Sequence, residues 1–269
     1  HTEMTTLISI PARYASTRYP GKPLVTLTGP DGEKTLIRRS WEAAMAVRGI
    51  DRVVVATDDD RIADHARAFG AEVVMTSSAA QNGTERCAEV AAKLPGFDVI
   101  VNLQGDAPLT PAWFVEDLVA GLATDPGADI ATPVLRCTGR MVQGFLADRR
   151  EGRVGGTTAV FGTHGRALYF SKEVIPYTGR TYAPDEPTPV FHHVGVYAYR
   201  PAALAAYPSW PMGPLETLEG LEQLRFLENG RQVLCVEVQA LGREFWELNN
   251  PTDVPVIEEM LRNASTGLR

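Results

Sequence analysis

The segment Leu7-Ile8-Ser9-Ile10-Pro11 is a short apolar run that stops at a proline, and it predicts a buried β-strand. A loop rich in cations follows at once and reads Ala12-Arg13-Tyr14-Ala15-Ser16-Thr17-Arg18-Tyr19-Pro20-Gly21-Lys22. Beyond it, short apolar strands alternate with helices of amphipathic spacing. The strands are predicted at 53–56, 72–75 and 98–103, and the helices at 36–47, 62–69 and 85–94. This alternation indicates an α/β fold with a mostly parallel central sheet that is buried on both faces.

The regular alternation of strands and helices ends at residue 128. Strands are predicted at 130–135, 157–161, 167–170, 194–199 and 233–238, and helices at 215–228 and 251–261. The Gly- and Arg-rich segment 138–156 is predicted to be mobile, and the proline-rich segment 177–189 to be irregular. We expect a single domain over 1–269, in which 136–200 contributes an inserted arm or subregion.

Composition excludes several classes of protein. The chain has 269 residues, of which 44% are hydrophobic, and a formal net charge of -7, which argues against nucleic-acid binding because that needs a basic face. No stretch approaches the roughly 20 apolar residues of a membrane span. The three cysteines form no CxxC pair and are typical of a reduced, cytoplasmic protein.

The basic loop is the first candidate site. It follows the first strand, where an open α/β sheet binds its ligand. Arginine offers a two-pronged donor to phosphate oxygens, and lysine offers a mobile charge. Neither GxxxxGK[ST] nor GxGxxG occurs in the chain, so a P-loop or dinucleotide fold is not indicated. The alternative for the loop is an ordinary solvated surface.

Several motifs, in order along residues 5–263, resemble the CMP-Kdo synthetase family (3-deoxy-manno-octulosonate, or Kdo, cytidylyltransferases). Besides the basic loop they are Asn82-Gly83-Thr84-Glu85-Arg86, Asn102-Leu103-Gln104-Gly105-Asp106-Ala107-Pro108, Ala167-Leu168-Tyr169-Phe170-Ser171 and Leu221-Glu222-Gln223-Leu224-Arg225. The resemblance implies a Rossmann-like nucleotidyltransferase that uses CTP and Mg²⁺, and a homodimer made partly through the arm.

The resemblance also implies roles for individual residues. The catalytic residues would be Arg13, Lys22 and Asp106. The nucleotide-binding residues would be Ala12, Arg13, Ser16, Arg18, Lys22, Thr84 and Arg86. Asp106 would hold the metal, with Asn249 as a candidate second ligand. Asp106 has an alternative role as a helix N-cap. In the aspartate run 58–60, helix capping is the better interpretation than metal binding, Asp58 included.

The acceptor site implied by the resemblance consists of Gln104, Lys172, His192, His193, Glu219, Glu222 and Gln223. For His193 the alternative is a hydrogen-bonded core histidine. The chain departs from the family pattern at four positions: Asn249 replaces an aspartate, Lys172 and His192 replace arginines, and Thr217 replaces a histidine. Because these changes concentrate on the acceptor side, the acceptor is expected to be Kdo, another 3-deoxy-ulosonic acid, or a small phosphonate such as phosphonoformate. A catalytically weak, CTP-binding regulatory protein is the alternative function.

Overall fold

A computed structural model describes residues 3–266 of the chain. The strands are β1 (Thr6–Pro11), β2 (Thr26–Gly29), β3 (Gly32–Thr35), β4 (Arg52–Thr57), β5 (Glu72–Met75), β6 (Val99–Leu103), β7 (Ile130–Thr138), β8 (Thr158–Phe161), β9 (Ala167–Ser171), β10 (Pro187–His193), β11 (Val196–Tyr199) and β12 (Val233–Glu237). The helices are α1 (Leu36–Met45), α2 (Asp60–Ala68), α3 (Gly83–Lys93), α4 (Ala112–Thr124), α5 (Gly139–Arg150), α6 (Pro201–Ala206), α7 (Pro214–Glu219), α8 (Leu224–Glu228) and α9 (Asp253–Thr266).

The chain divides into two compact units. The first holds the residues up to 116, residues 199–205 and the residues from 240 onward; the second holds 117–198 and 206–239. The prediction of a single domain over 1–269 with an arm at 136–200 stays a prediction, and its terminal residues 1–2 and 267–269 lie outside the described residues.

The first unit is built on parallel strands in the order β5-β4-β1-β6. Every residue of β1 is buried, and Leu7 pairs with Arg52 on one side and Ile100 on the other. Apolar runs without polar alternation form such strands because helices cover both faces of the sheet. The predicted α/β fold with parallel pairing is confirmed here.

Side-chain caps set the starts of the helices that follow these strands. The Thr35 hydroxyl accepts from the Arg38 amide at the start of α1, and the Asn82 side chain accepts from the Glu85 amide at the start of α3. At α2 the cap is Asp59, whose carboxylate accepts from two backbone amides. The capping role was predicted for the run that includes Asp58, but Asp58 is not the cap: its Oδ1 is buried and has no hydrogen-bond partner in the described chain.

The second unit is mostly antiparallel. Strand β10 pairs antiparallel with β7 and β8, β8 pairs antiparallel with β9, and β12 adds to β7 in parallel. The prediction that 138–156 is mobile is wrong over most of its length, because residues 139–150 form α5. Thr138 caps this helix, and Val142 packs with Cys137 and Val190. The glycines and arginines of the segment suggested a loop, but the helix is held by the apolar contact of Val142 with strands β7 and β10.

The predicted helix at 215–228 is two helices. Gly220 ends α7 in the left-handed conformation, with a φ of 68°, and α8 begins four residues later. The bend is fixed by a buried ion pair in which Arg225 donates through Nε and Nη2 to Glu216, at 2.7 and 2.9 Å. Both side chains are at most 3% exposed, so neither charge could stay buried alone. The closing helix, predicted at 251–261, runs instead from Asp253 to Thr266. Within residues 3–266, every helix is too short or too polar to cross a bilayer.

Candidate active site

A cavity of about 250 Å³ lies in the first unit at the carboxyl ends of β1 and β6. Its walls include Ala12, Arg13, Lys22, Arg86, Gln104 and Asp106. The sequence predicted all six as site residues, and they are drawn from two loops and the first turn of α3. Open parallel sheets place ligand sites at this edge.

Two loops of the cavity are joined through backbone atoms. The Gly105 amide donates to the Pro11 carbonyl at 3.1 Å, and the Ser40 hydroxyl donates to the Gly105 carbonyl at 2.7 Å. A Cβ on residue 105 would lie 2.7 Å from the Pro11 oxygen, so glycine is required there. This contact brings Ala12, which follows β1, next to Asp106, which follows β6.

The basic loop folds back on itself. Gly21 adopts a φ of 69°, and its amide donates to the Tyr14 carbonyl at 2.8 Å. The Ser16 hydroxyl accepts from the Tyr19 amide at 3.3 Å, so this predicted nucleotide ligand also shapes the turn. Arg13 and Arg18 are exposed, and Arg13 lines the cavity whereas Arg18 does not.

Asp106 carries the negative charge of the cavity. Its Oδ2 forms an ion pair of 2.9 Å with Lys22 Nζ, while its Oδ1 is buried and has no hydrogen-bond partner in the described chain. A buried carboxylate oxygen without a partner is costly. The site therefore fits a magnesium ion, which prefers one or two carboxylates together with water and phosphate oxygens. The alternative role of Asp106 as a helix cap is not what the side chain does here.

Asn249 lies next to a residue that touches Asp106. The Leu248 amide donates to the Asp106 carbonyl at 3.0 Å, which ties the chain before α9 to the end of β6. The Asn249 amide donates to Asp253 Oδ2 at 2.9 Å, and Asp253 also accepts from the Asn250 amide and the Trp246 indole. Asp253 thus organises this turn. Within residues 3–266, no cluster of three or more His, Cys, Asp or Glu side chains is arranged to hold a metal.

Arg86 and Thr84 lie on the first turn of α3 and face different surroundings. Arg86 is 4% exposed, and its Nη1 donates to Thr76 Oγ1 at 2.6 Å and to the Ser77 carbonyl at 3.2 Å. This anchoring holds the guanidinium in the cavity wall. Thr84 is 1% exposed and lies 2.8 Å from the Tyr199 hydroxyl, away from the cavity surface. Its nucleotide role stays a prediction.

His193 lies in a buried hydrogen-bonded group of the second unit. Its Nε2 is 2.7 Å from Thr132 Oγ1, and Thr132 donates its own proton to the Val196 carbonyl at 2.8 Å. The Nε2 atom must therefore carry the imidazole proton. The opposite nitrogen, Nδ1, lies 3.4 Å from Gln223 Nε2, and Gln223 Oε1 accepts from the Tyr197 hydroxyl at 2.9 Å. Desolvation by burial, with a smaller effect of His192, lowers the pKa of His193 to about 3.

The two adjacent histidines face opposite sides of β10, because side chains alternate along a strand. His192 is half-buried, its Nδ1 lies 3.1 Å from the Thr157 carbonyl, and it packs against Phe145. Burial lowers its pKa as well. The sequence assigned both histidines to the acceptor, whereas the strand geometry gives them different surroundings. Thr132 and Tyr197, which hold His193 and Gln223, were not predicted, although Tyr197 lies in the same motif.

Lys172 approaches the bend between α7 and α8. Its amide donates to Glu219 Oε1 at 2.9 Å, and its Nζ lies 3.0 Å from the position that a Cβ on Gly220 would take. Among the described residues this ammonium has no carboxylate within ion-pair distance. Glu222 is half-buried, and its carbonyl accepts from the Tyr207 hydroxyl at 2.8 Å. The bend is thus surrounded by four residues of the second unit that were predicted to bind the acceptor: Lys172, Glu219, Glu222 and Gln223.

Comparison with known proteins identifies the family. Residues 7–233 match the cytidylyltransferase family. The chain belongs to the cytidylyltransferase family. It is 42% identical to the 3-deoxy-manno-octulosonate cytidylyltransferase of Maricaulis maris, over 96% of this chain and 97% of the relative. It is 41% identical to the Chlamydia trachomatis enzyme of the same name, over 94% of this chain and 92% of that one.

A solved structure with a similar fold carries the same kind of name as these relatives. It is a CMP:2-keto-3-deoxy-manno-octonic acid synthetase complexed with CTP, with a TM-score of 0.82 and 32% identity, and the match covers 98% of this chain and all of that one. A cytidylyltransferase from Leptospira borgpetersenii, at 19% identity and a TM-score of 0.54, shares the fold. The predicted resemblance, the Rossmann-like nucleotidyltransferase fold and the cytidylyltransferase class are confirmed.

Proposed function

We propose that the chain transfers CMP from CTP to a small anionic acceptor and releases pyrophosphate. The observation that carries this proposal is the cavity that joins the Lys22–Asp106 ion pair, Arg13 and the buried Arg86 guanidinium. Three cations beside one carboxylate suit a triphosphate with a divalent metal. The solved relative that holds CTP supports this nucleotide as the donor.

The chemistry follows from charge and position. An acceptor oxygen attacks the α-phosphorus of CTP, a new P–O bond forms, and the bond to the pyrophosphate oxygen breaks. Such transfers depend on neutralising charge and on in-line alignment. Arg13 and Lys22 neutralise the triphosphate oxygens, and Asp106 would hold Mg²⁺ through its unpartnered Oδ1. When bound, the ion would stabilise the charge that develops on the phosphate oxygens.

For the acceptor, a 3-deoxy-ulosonic acid of the Kdo type is the first candidate. The relatives at 42% and 41% identity are named for Kdo and match nearly the whole chain. His193, Gln223 and Glu222 are retained from the predicted acceptor motifs. Gln104, which lines the cavity, would contact the acceptor carboxylate.

A small phosphonate is the second candidate, and Asn249 is the observation that favours it. Where the family has an aspartate, this residue carries no charge, so the metal site holds one carboxylate, Asp106. A sugar hydroxyl needs help to lose its proton, whereas a phosphonate oxygen is already an anion. Arg13 and Lys22, which line the cavity with Asp106, would neutralise the charge of such a ligand.

Two properties of the protein are part of the same proposal. We propose a homodimer and a cytoplasmic location. The support for the location is that Cys87, Cys137 and Cys235 are free and buried, as in proteins that stay reduced. Size-exclusion chromatography with light scattering tests the dimer, and a mass of one chain, near 29.3 kDa, at micromolar concentration contradicts it.

The test of the proposed function is pyrophosphate release from CTP with a panel of acceptors. The panel holds Kdo, a second 3-deoxy-ulosonic acid, phosphonoformate and a longer phosphonate, with a reaction lacking acceptor as control. Mass spectrometry of the product identifies the CMP ester. We expect turnover with at least one member and none without acceptor. Binding of CTP by calorimetry without turnover of any acceptor would instead favour the regulatory alternative.

A further inference from the structure

A buried chain of hydrogen bonds leads from the cavity wall to the interior of the first unit. Gln104 Nε2 donates to Asn102 Oδ1 at 3.1 Å, and Asn102 Nδ2 donates to the Tyr199 hydroxyl at 2.9 Å. The Tyr199 hydroxyl lies 2.8 Å from Thr84 Oγ1, where either oxygen can be the donor. Asn102 and Tyr199 are fully buried. Unpaired polar atoms are costly in such surroundings, so the four side chains stay joined to one another.

Gln104 packs closely against residue 83, which is a glycine and has no side chain. A Cβ there would lie 2.8 Å from Gln104 Nε2 and 3.1 Å from Asn102 Nδ2. Glycine at this first position of α3 is not needed for backbone reasons, because its φ is not positive. The close approach of the two amides therefore accounts for it. Gln104 occupies the volume that an ordinary side chain at 83 would fill.

We propose that Asn102 and Tyr199 are positioning residues, which hold the Gln104 side-chain amide in place for the acceptor. This inference rests on the proposed function. Asn102 uses both ends of its amide, accepting from Gln104 and donating to Tyr199. Because a hydroxyl can donate or accept, a half-turn of the Gln104 amide is matched by a half-turn of Asn102 and a reversed Tyr199 hydroxyl, so the three groups stay joined in either direction. An acceptor therefore meets the polar end of Gln104 at a set position.

The decisive variant is Tyr199→Phe, which keeps the ring and removes the hydroxyl that holds Asn102. We expect the KM for the acceptor to rise roughly tenfold, as for the loss of one hydrogen bond in a site. The kcat and the calorimetric Kd for CTP should stay within about twofold of the parent. Kdo and phosphonoformate are the probes. The matched control is Thr188→Val, which removes a buried hydroxyl that bonds to the Cys137 carbonyl in the second unit.

A second measurement reads the position of Gln104 without any acceptor. The side-chain amide signals of Gln104 in a ¹⁵N–¹H spectrum are assigned by their loss in Gln104→Glu. We expect them to shift in Tyr199→Phe and in Gly83→Ala, and to stay unchanged in Thr188→Val. Unchanged signals in both variants, or shifted signals with an unchanged KM for the acceptor, would overturn the proposal. If the parent transfers CMP to no probe, the proposed function fails, and the spectra still decide whether Tyr199 holds Gln104.

Discussion

Lys22 and Asp106 form an ion pair in the cavity, with Nζ 2.9 Å from Oδ2, although 84 residues separate them in sequence. Both side chains are about one-fifth exposed, at 18% and 23%. In a pair that is mostly buried, the cost of removing both charges from water offsets much of their attraction, so the net gain in folding stability is small. Under the proposed function, a magnesium ion held by Asp106 would compete with Lys22 for the carboxylate and leave the ammonium available to phosphate oxygens.

Asp106→Asn should abolish transfer while the protein remains folded. Removing the charge that is proposed to hold the metal should lower kcat/KM by about a thousandfold, since metal stabilisation supplies several kcal/mol. The melting temperature should change by a few degrees at most, because asparagine keeps the size of the side chain and the Oδ1 atom of Asp106 has no hydrogen bond to lose in the described chain. Pyrophosphate release and thermal unfolding are the measurements. Asp64→Asn, at an exposed site on α2, is the control. Activity within tenfold of the parent would place the metal elsewhere.

CTP should be strongly preferred over ATP, GTP and UTP, by about a hundredfold or more in kcat/KM. The reason is that Arg86 is fixed in the cavity wall by Thr76 and Ser77, so it offers donors at set positions. Arg86→Met should raise the KM for CTP and weaken this preference. The exposed Arg67→Met serves as the control. Equal turnover of a purine nucleotide by the parent would contradict a cytosine site in this cavity.

Asn249→Asp should add a metal ligand. The parent should bind one Mg²⁺ firmly together with CTP, because Asp106 is the carboxylate that lines the cavity. The variant should bind a second ion, since Asn249 follows directly on Leu248, which contacts Asp106. Titration of Mn²⁺, followed by electron paramagnetic resonance, counts the ions. The matched control is Asn250→Asp on the same turn. Full turnover of Kdo by the parent, with no turnover of phosphonates, would make Asn249 a tolerated variation.

His193 should make the fold sensitive to acid. Its pKa in the folded protein is about 3, below the usual 6.5, so the unfolded chain binds a proton first as the pH falls. The stability it contributes is complete above pH 6.5 and is lost progressively toward pH 3. Between pH 7 and pH 5, the free energy of unfolding should fall by about 2 kcal/mol because of this histidine. Urea unfolding at the two pH values measures it.

In His193→Gln, the difference between pH 7 and pH 5 should shrink by that amount, because glutamine does not titrate. His164→Gln, at an exposed position, should leave the difference unchanged. His192 also has a lowered pKa, so some sensitivity to acid should remain in the first variant. An identical pH dependence of the parent and His193→Gln would show that His193 is not a neutral, buried imidazole.

The first unit could be predicted closely from sequence, because its strands are continuous apolar runs and its site residues follow strand ends. The second unit was harder. The bend at Gly220 depends on a glycine in the left-handed conformation and on the Glu216–Arg225 ion pair, whose partners lie nine residues apart and follow no helical spacing. The tautomer of His193 depends on Thr132, 61 residues away. Contacts of this kind leave no local pattern in a sequence.

The contact between Gly105 and Pro11 has a consequence for directed evolution of this protein. A mutation library that varies residue 105 would consist almost wholly of inactive clones, because any side chain there collides with the Pro11 carbonyl. The same collision would move Ala12 and Asp106 apart. Residues 172, 192, 217 and 249 are better targets for variation, because they are the positions predicted to differ from the family pattern. Selection for a new acceptor can then proceed while the nucleotide half keeps its geometry.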